Sequence, residues 1–144
     1  MLSSSVRLDN AILAVDLTNA EVPSSGSENR AVRTVHFHRS SLLWANRCYQ
    51  RIEVRNYAAE PVTLELILEF EADFADIFEV RGHHRTRRGE LLEPRLENSA
   101  VTLGYMGLDG LRRETRIELN ITPATISARQ SRVPLGLAPG EQTT

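Results

Sequence analysis

The stretch Asp73-Phe74-Ala75-Asp76-Ile77-Phe78-Glu79-Val80-Arg81-Gly82, followed closely by Arg85, Arg87, Arg88 and Gly89, crowds acids, aromatics and arginines into one short corner of the chain. Two carboxylates held roughly 5 to 9.5 Å apart across a glycosidic bond can hydrolyse it. Asp73 and Asp76 can reach that separation on one helical turn. So can most acid pairs at this spacing on a surface helix, and nothing nearby would desolvate one carboxyl and keep it protonated. The reading the residues favour is structural. Asp73, Asp76 and Glu79 are expected to form an ion-pair cluster with Arg81, Arg85 and Arg88, with Arg81 as the forked donor that holds the turn. Phe74, Ile77 and Phe78 fall at i, i+3 and i+4 on another face of that turn, and Gly82 suits a left-handed cap.

Other residues that could do chemistry are sparser. His36 and His38 point to one face of a strand and would hold zinc or iron if His83 or His84 supplied a third ligand. Two histidines on a wet strand face are more often simply solvated, so neither a metal nor a cofactor is expected. Trp44, Tyr49 and Tyr57 are candidate sugar-contact residues, because the C–H face of a sugar packs on an aromatic ring as other apolar surface does. Tyr105 fits core packing as well as it fits that role. Cys48 lies on an apolar strand face and reads as a small core residue. No nucleophile elbow, Walker loop or dinucleotide fingerprint is present. Arg81, Arg85, Arg87, Arg88 and Arg95 form a basic cluster without interleaved aromatics, which fits pairing with the upstream acids better than nucleic acid.

The elements that must position these residues are strands. Ala11–Leu17 is a short apolar run, and Ala31–Arg39 alternates, with Val35 and Phe37 opposite His36 and His38. Trp44, Cys48, Ile52 and Val54 then continue one face, with Arg47, Tyr49, Arg51, Glu53 and Arg55 on the other. Val62–Phe70 alternates strictly and is expected to form a hairpin with the preceding strand across the turn at Asn56–Pro61. Val101, Leu103 and Tyr105 make a further strand. Its partner carries Thr115, Ile117, Leu119 and Ile121, and Gly107–Gly110 lies between the two. Residues 21–30 read as a flexible polar loop, and 134–144 as a turn and truncated tail leading towards a further strand. This pattern predicts an all-β fold, an antiparallel β-sandwich with a short helical turn around 73–80.

Composition narrows the function. A chain of 144 residues suits one domain, and a net charge of −2 gives no electrostatic case for nucleic acid or an anionic membrane. Every basic residue is arginine, and Cys48 is the only cysteine, which excludes an intrachain disulfide and fits a cytoplasmic location. No apolar run is long enough to span a bilayer, and the N-terminus does not read as a signal peptide.

The run 73–82 (DFADIFEVRG) with the following Arg87-Arg88-Gly89 resembles the N-terminal domain of glycogen-debranching-enzyme-like proteins, the amylo-α-1,6-glucosidase group. Asp16–Asn19 (DLTN), Arg55-Asn56-Tyr57, and Gly104–Gly110 with Arg113 and Thr115 match further family elements in the same order. The family's segment ahead of the first of these is represented by at most Leu2-Ser3. The resemblance implies a non-catalytic β domain preceding a helical glycosidase domain that would carry the catalytic acids and act on α-1,6-glucosidic bonds. It makes that helical domain the expected partner, with α-glucan as a possible ligand. The alternatives are a stand-alone carbohydrate-binding module and a purely structural, self-associating β domain. A β-sandwich cut before its last strands would leave an edge or apolar face that favours a homodimer.

Overall fold

The computed structural model describes residues 1–7, 11–19 and 33–144; the loop expected at 21–30 lies outside them. The described residues fold as strands and one short helix, as the all-β reading requires. The strands are β1 (Ser3–Arg7), β2 (Ile12–Thr18), β3 (Val35–Trp44), β4 (Arg47–Asn56), β5 (Val62–Glu69), β6 (Glu90–Leu96), β7 (Ala100–Met106), β8 (Arg112–Glu118), β9 (Thr125–Ile126), β10 (Gln130–Leu137) and β11 (Gln142–Thr143), and the helix α1 is Ile77–Val80. They make a five-stranded sheet, β1-β2-β3-β4-β11, and two three-stranded sheets, β5-β10-β9 and β6-β7-β8. The chain divides into two compact units, residues 1–64 with 136–144, and residues 65–135. No helix among the described residues is long and apolar enough to cross a membrane.

In the first unit, β3 and β4 form a long hairpin that pairs Val35 with Asn56 at one end and Trp44 with Arg47 at the other. The turn is Ala45-Asn46, both with positive φ (48° and 62°). That conformation matches the right-handed strand twist and closes a two-residue loop. The sequence expectation placed the hairpin between β4 and β5 instead. The structure corrects this: β4 pairs with β3 and β11, and β5 is a neighbour of β10. Ala-Asn lacks the usual glycine signal of a tight hairpin, so the turn was hidden inside one long alternating run.

The buried residues of this unit, Val35, Val54, Asn56 and Leu137, gather where β4 ends and the C-terminal segment returns. Asn56 has no accessible surface, yet its side chain is fully used. Its Nδ2 donates to the carbonyls of Glu60 (2.8 Å), Leu137 (3.2 Å) and Ala138 (3.2 Å), and its Oδ1 accepts from the Ala58 amide at 2.8 Å. Its backbone N–H donates to Glu141 O and its carbonyl accepts from the Gly140 N–H, each at 2.9 Å. These bonds seat β11 on β4, with Gln142 opposite Arg55 and Thr143 opposite Val54. The tail read as a turn at 134–141 is therefore partly strand: Pro134–Leu137 completes β10, and the turn proper follows it.

In the second unit β7 is the central strand of its sheet, and Ala100, Val101, Thr102, Leu103 and Gly104 are all buried. Its pairing with β8, from Ala100↔Glu118 to Met106↔Arg112, bears out the expected strand pair, although the partner begins earlier in the sequence than its apolar alternation suggested. The other neighbour, β6, lies in a stretch to which the sequence pattern assigns no strand. Pro94 masks it: the register shifts between Leu92 and Arg95, and a residue lacking an N–H is tolerated at such a bulge on an edge strand.

Removing the Asn56 amide would leave buried carbonyls and an amide N–H without partners, a costly class of change. Asn56→Ala should lower the unfolding free energy by about 2 to 4 kcal/mol in urea titration. A change within about 0.5 kcal/mol would mean that water replaces the side chain and that Asn56 does not hold the C-terminal segment.

Candidate functional site

The acid-rich corner resolves into a helix with both ends sealed. Asp76 is the N-cap of α1: its Oδ1 accepts from the Phe78 and Glu79 amides at 2.9 Å each, and Glu79 Oε2 accepts from the Asp76 amide at 3.1 Å. This reciprocal capping box satisfies donors that a helix start leaves orphaned. At the other end Gly82, with φ 90°, donates to Glu79 O, while His83 N–H reaches Phe78 O, both at 2.9 Å. These two bonds form a Schellman cap. Asp73 serves a separate turn, its Oδ1 accepting from the Ala75 amide at 2.9 Å.

Arginines complete the corner, in a different distribution from the expected one. Arg85 pairs with Asp76 and lies 3.9 Å from Glu79; Arg88 Nε lies 3.0 Å from Glu79 Oε1, and its Nη2 donates to the Asp73 carbonyl at 2.6 Å. Arg81 takes a different place. Its exposed side chain holds none of these acids among the described residues, and it acts as the C-cap through its backbone N–H, bonded to Ile77 O and Phe78 O. Being nearest in sequence gave Arg81 no advantage: the loop that follows brings Arg85 and Arg88 back to the acids.

The apolar face expected from Phe74, Ile77 and Phe78 does not form as one surface. Ile77 and Phe78 are exposed. Phe74 precedes the helix at φ 51° and stacks on Tyr105, with ring centroids 5.4 Å apart and planes 11° from parallel. Tyr105 is thereby a packing residue, and its hydroxyl accepts from the Gly89 amide at 2.6 Å. Gly89 cannot carry a side chain, since a Cβ would collide with the Met106 carbonyl.

The element Gly107-Leu108-Asp109-Gly110 with Arg113 closes the β7–β8 hairpin. Asp109 and Arg113 form a two-pronged pair, Nη1–Oδ1 at 3.0 Å and Nη2–Oδ2 at 2.7 Å, and Asp109 Oδ1 also accepts from the Leu111 amide at 3.1 Å. A Cβ at Gly107 would strike both partners. The Arg113 guanidinium, then the Leu111 amide, hold the Asp109 carboxyl well below the usual carboxylate range.

A polar cleft of about 190 Å³ opens on one face of the five-stranded sheet, lined by His36, His38, Glu53, Arg55, Tyr57 and Gln142. Cross-strand register builds it in two rows. Asp16, His38 and Glu53 lie side by side on β2, β3 and β4, and the next row is His36, Arg55 and Gln142 on β3, β4 and β11. Asp16 Oδ1 draws in both histidines, His38 Nδ1 at 2.9 Å and His36 Nε2 at 3.1 Å, while Ser3 Oγ donates to its Oδ2 at 2.7 Å. The Ser3 hydroxyl, then His38, lower the Asp16 carboxyl from its ordinary value. The group that the structure sets beside the histidine pair is Asp16. No cluster of His, Cys, Asp or Glu suited to a metal ion occurs among the described residues.

The three candidate sugar-contact aromatics are all accessible, Trp44 at 71%, Tyr49 at 49% and Tyr57 at 61%, but they do not share one platform. Trp44 and Tyr49 are diagonal neighbours on one face near the β3–β4 turn, which corrects the expectation that Trp44 shares the face of Cys48: the two-residue turn sets Trp44 opposite Arg47. Tyr57 follows the far end of β4, eight residues beyond Tyr49, a separation of roughly 25 Å at strand rise. Cys48 is on the apolar face as expected, opposite Leu43, but is exposed rather than part of the core. That end of the face is open, and Leu43 and Leu13 are exposed as well. Sequence reasoning missed Asp16, Glu53, Arg55 and Gln142 as one group. Periodicity put Glu53 and Arg55 on a shared face, but no local signal brings in residues from β2 and β11.

Two measurements test these arrangements. Asp76→Ala should cost about 1 kcal/mol of stability through the lost cap, whereas Arg81→Ala should change it by less than about 0.5 kcal/mol; equal losses would return Arg81 to the cluster. For Asp109, a depressed folded-state pKa means its contribution is present above the ordinary Asp value of about 3.9 and is lost only as pH falls through the lower folded value. A carboxyl-carbon NMR titration should therefore find Asp109 still ionised at about pH 3, and a midpoint near the ordinary value would rule out the clasp.

Comparison with known proteins adds the family. No curated protein and no solved structure matches the chain. A family model does, over residues 1–144: the N-terminal domain of (some) glycogen debranching enzymes. The elements that carry the earlier resemblance now have structural roles, the capped helix at 76–82, the Asn56 junction and the Asp109–Arg113 clasp. The chain belongs to the family of N-terminal domains of glycogen debranching enzymes.

Proposed function

We propose that this chain is the non-catalytic N-terminal β domain of an amylo-α-1,6-glucosidase-like glycoside hydrolase, and that it supports a helical catalytic domain in cytoplasmic α-glucan metabolism. The observation that carries the non-catalytic reading is how the densest acids are used. Asp76 caps α1 and pairs with Arg85, Glu79 closes the capping box and pairs with Arg88, and Asp73 holds a turn. A general acid must be kept protonated near neutral pH by an apolar or like-charged setting. These carboxylates are instead taken up as hydrogen-bond and ion-pair partners of backbone amides and guanidinium groups. The family match supports the debranching context, and the single cysteine is compatible with a reducing compartment.

The purified chain should release no sugar from α-1,6- or α-1,4-linked glucosides, and sustained release abolished by Asp76→Asn would overturn the non-catalytic reading. In a debranching enzyme that carries this domain, its deletion should lower both the melting temperature and the debranching rate. An enzyme unchanged in both would leave the domain without the supporting role.

A further inference from the structure

We infer that the polar cleft on the five-stranded sheet is a binding site for one glucosyl unit of an α-glucan, with Tyr57 as its stacking surface. The choice of glucan rests on the debranching reading above; the hydroxyl-rich character of the ligand rests on the cleft itself. Tyr57 is held by its neighbours: the Arg55 guanidinium lies 4.8 Å from the ring centroid, and His36 meets the ring edge-on at 6.3 Å and 71°. A ring fixed in this way and still 61% accessible presents a rigid apolar surface at little entropic cost.

Around that ring the polar groups have hydrogen-bonding capacity left over. Both bonds to Glu53, from Arg51 at 2.9 Å and from Gln142 at 3.3 Å, go to Oε1, so Oε2 accepts nothing among the described residues. Arg55 touches the Tyr57 ring and holds no carboxylate among the described residues, whereas Arg85, Arg88, Arg113 and Arg132 each hold one. His36 and His38 each use one ring nitrogen on Asp16 and keep the other. Donors and acceptors with capacity to spare therefore line the same cleft as the Tyr57 ring. A sugar hydroxyl, which both donates and accepts, satisfies such a set where a purely anionic or cationic ligand cannot.

Charge argues against a phosphate ligand. The positive Arg55 is accompanied in the cleft by Glu53, which also holds Arg51, and by Asp16 beside the histidines, so an anion would meet carboxylates as well as guanidinium groups. Size limits the ligand to one ring: about 190 Å³ is below the roughly 300 Å³ at which drug-sized molecules are enclosed. The remainder of a glucan chain would run out into solvent. Trp44 and Tyr49 lie too far along the sheet to contact the same sugar unit.

The test is a titration of the whole chain with maltose, maltoheptaose and inorganic phosphate, followed by backbone amide NMR. Shifts should appear on both glucans at 36–38, 53–57 and 142, with a Kd on the order of 1 mM, the weakness expected of a single ring in an open cleft. Tyr57→Ala should weaken binding about tenfold or more, and Tyr57→Phe should retain most of it, because the ring face carries the contact. Glu53→Gln should weaken it about threefold through loss of a charge-assisted bond. Trp44→Ala should leave it unchanged. Shifts centred on Trp44 and Tyr49, a response to phosphate alone, or no response to either glucan would each overturn the site. These outcomes are separable from the supporting role: a cleft that binds nothing leaves the domain-deletion result standing, and a cleft that binds glucan stands even if deletion of the domain leaves the enzyme unchanged.

Discussion

The first compact unit depends on one buried amide. Asn56 ends β4 at a point where the chain turns towards β5 and where the C-terminal segment comes back, and it bonds to both. A buried polar group is stabilising only when its hydrogen-bonding capacity is met. Asn56 meets that condition because Glu60, Leu137 and Ala138 each offer it a carbonyl and Ala58 an amide. The same condition makes the arrangement specific. An apolar residue of similar size would fill the space but would leave those groups unpaired, so the fold at this junction is held in one register.

That register reaches the surface. Asn56 fixes the turn at 138–141, the turn fixes β11 against β4, and β11 places Gln142 beside Arg55 on the wet face of the sheet. On the same face, cross-strand pairing sets Asp16 against His38 and Ser3 against Asp16. The polar groups that face solvent are thus positioned by rigid backbone pairing and not by a mobile loop, which is the arrangement that holds a binding surface in place without a ligand.

The second unit solves a different problem. The loop from Glu71 to Gly89 carries many charges and only one short helix, too short to be stable by itself. It is held by end caps, by Arg85 and Arg88 folding back on the acids, and by Phe74 stacked on Tyr105. The exposed ion pairs are individually weak, so the caps and the Phe74–Tyr105 contact carry most of the order. Gly89 belongs to the same solution, because the strand that leaves the loop passes so close to Met106 O that no side chain fits.

Much of this was decided locally. Period-two alternation in 62–70, 35–39 and 101–105 was enough to give strands, because successive side chains on a strand point to opposite sides whatever the partner, although β7 turned out to be buried on both faces. The helical turn near 73–80 and its Gly82 cap were legible for the same reason, since capping depends on residues within one turn of one another. Strand partners were not legible. Ala45-Asn46 carries no strong turn signature, Pro94 disguises β6, and the pairing of β5 with β10 joins segments far apart in sequence. The ion-pair partners went the same way: the amino-acid types announced that acids and arginines would meet, but the direction in which the cap sends the chain decided that Arg85 and Arg88, and not Arg81, would do so. The polar cleft depended most on tertiary structure. Its residues come from strands β3, β4 and β11 and the turn after β4, and only long-range sheet register, enforced at Asn56, brings them together.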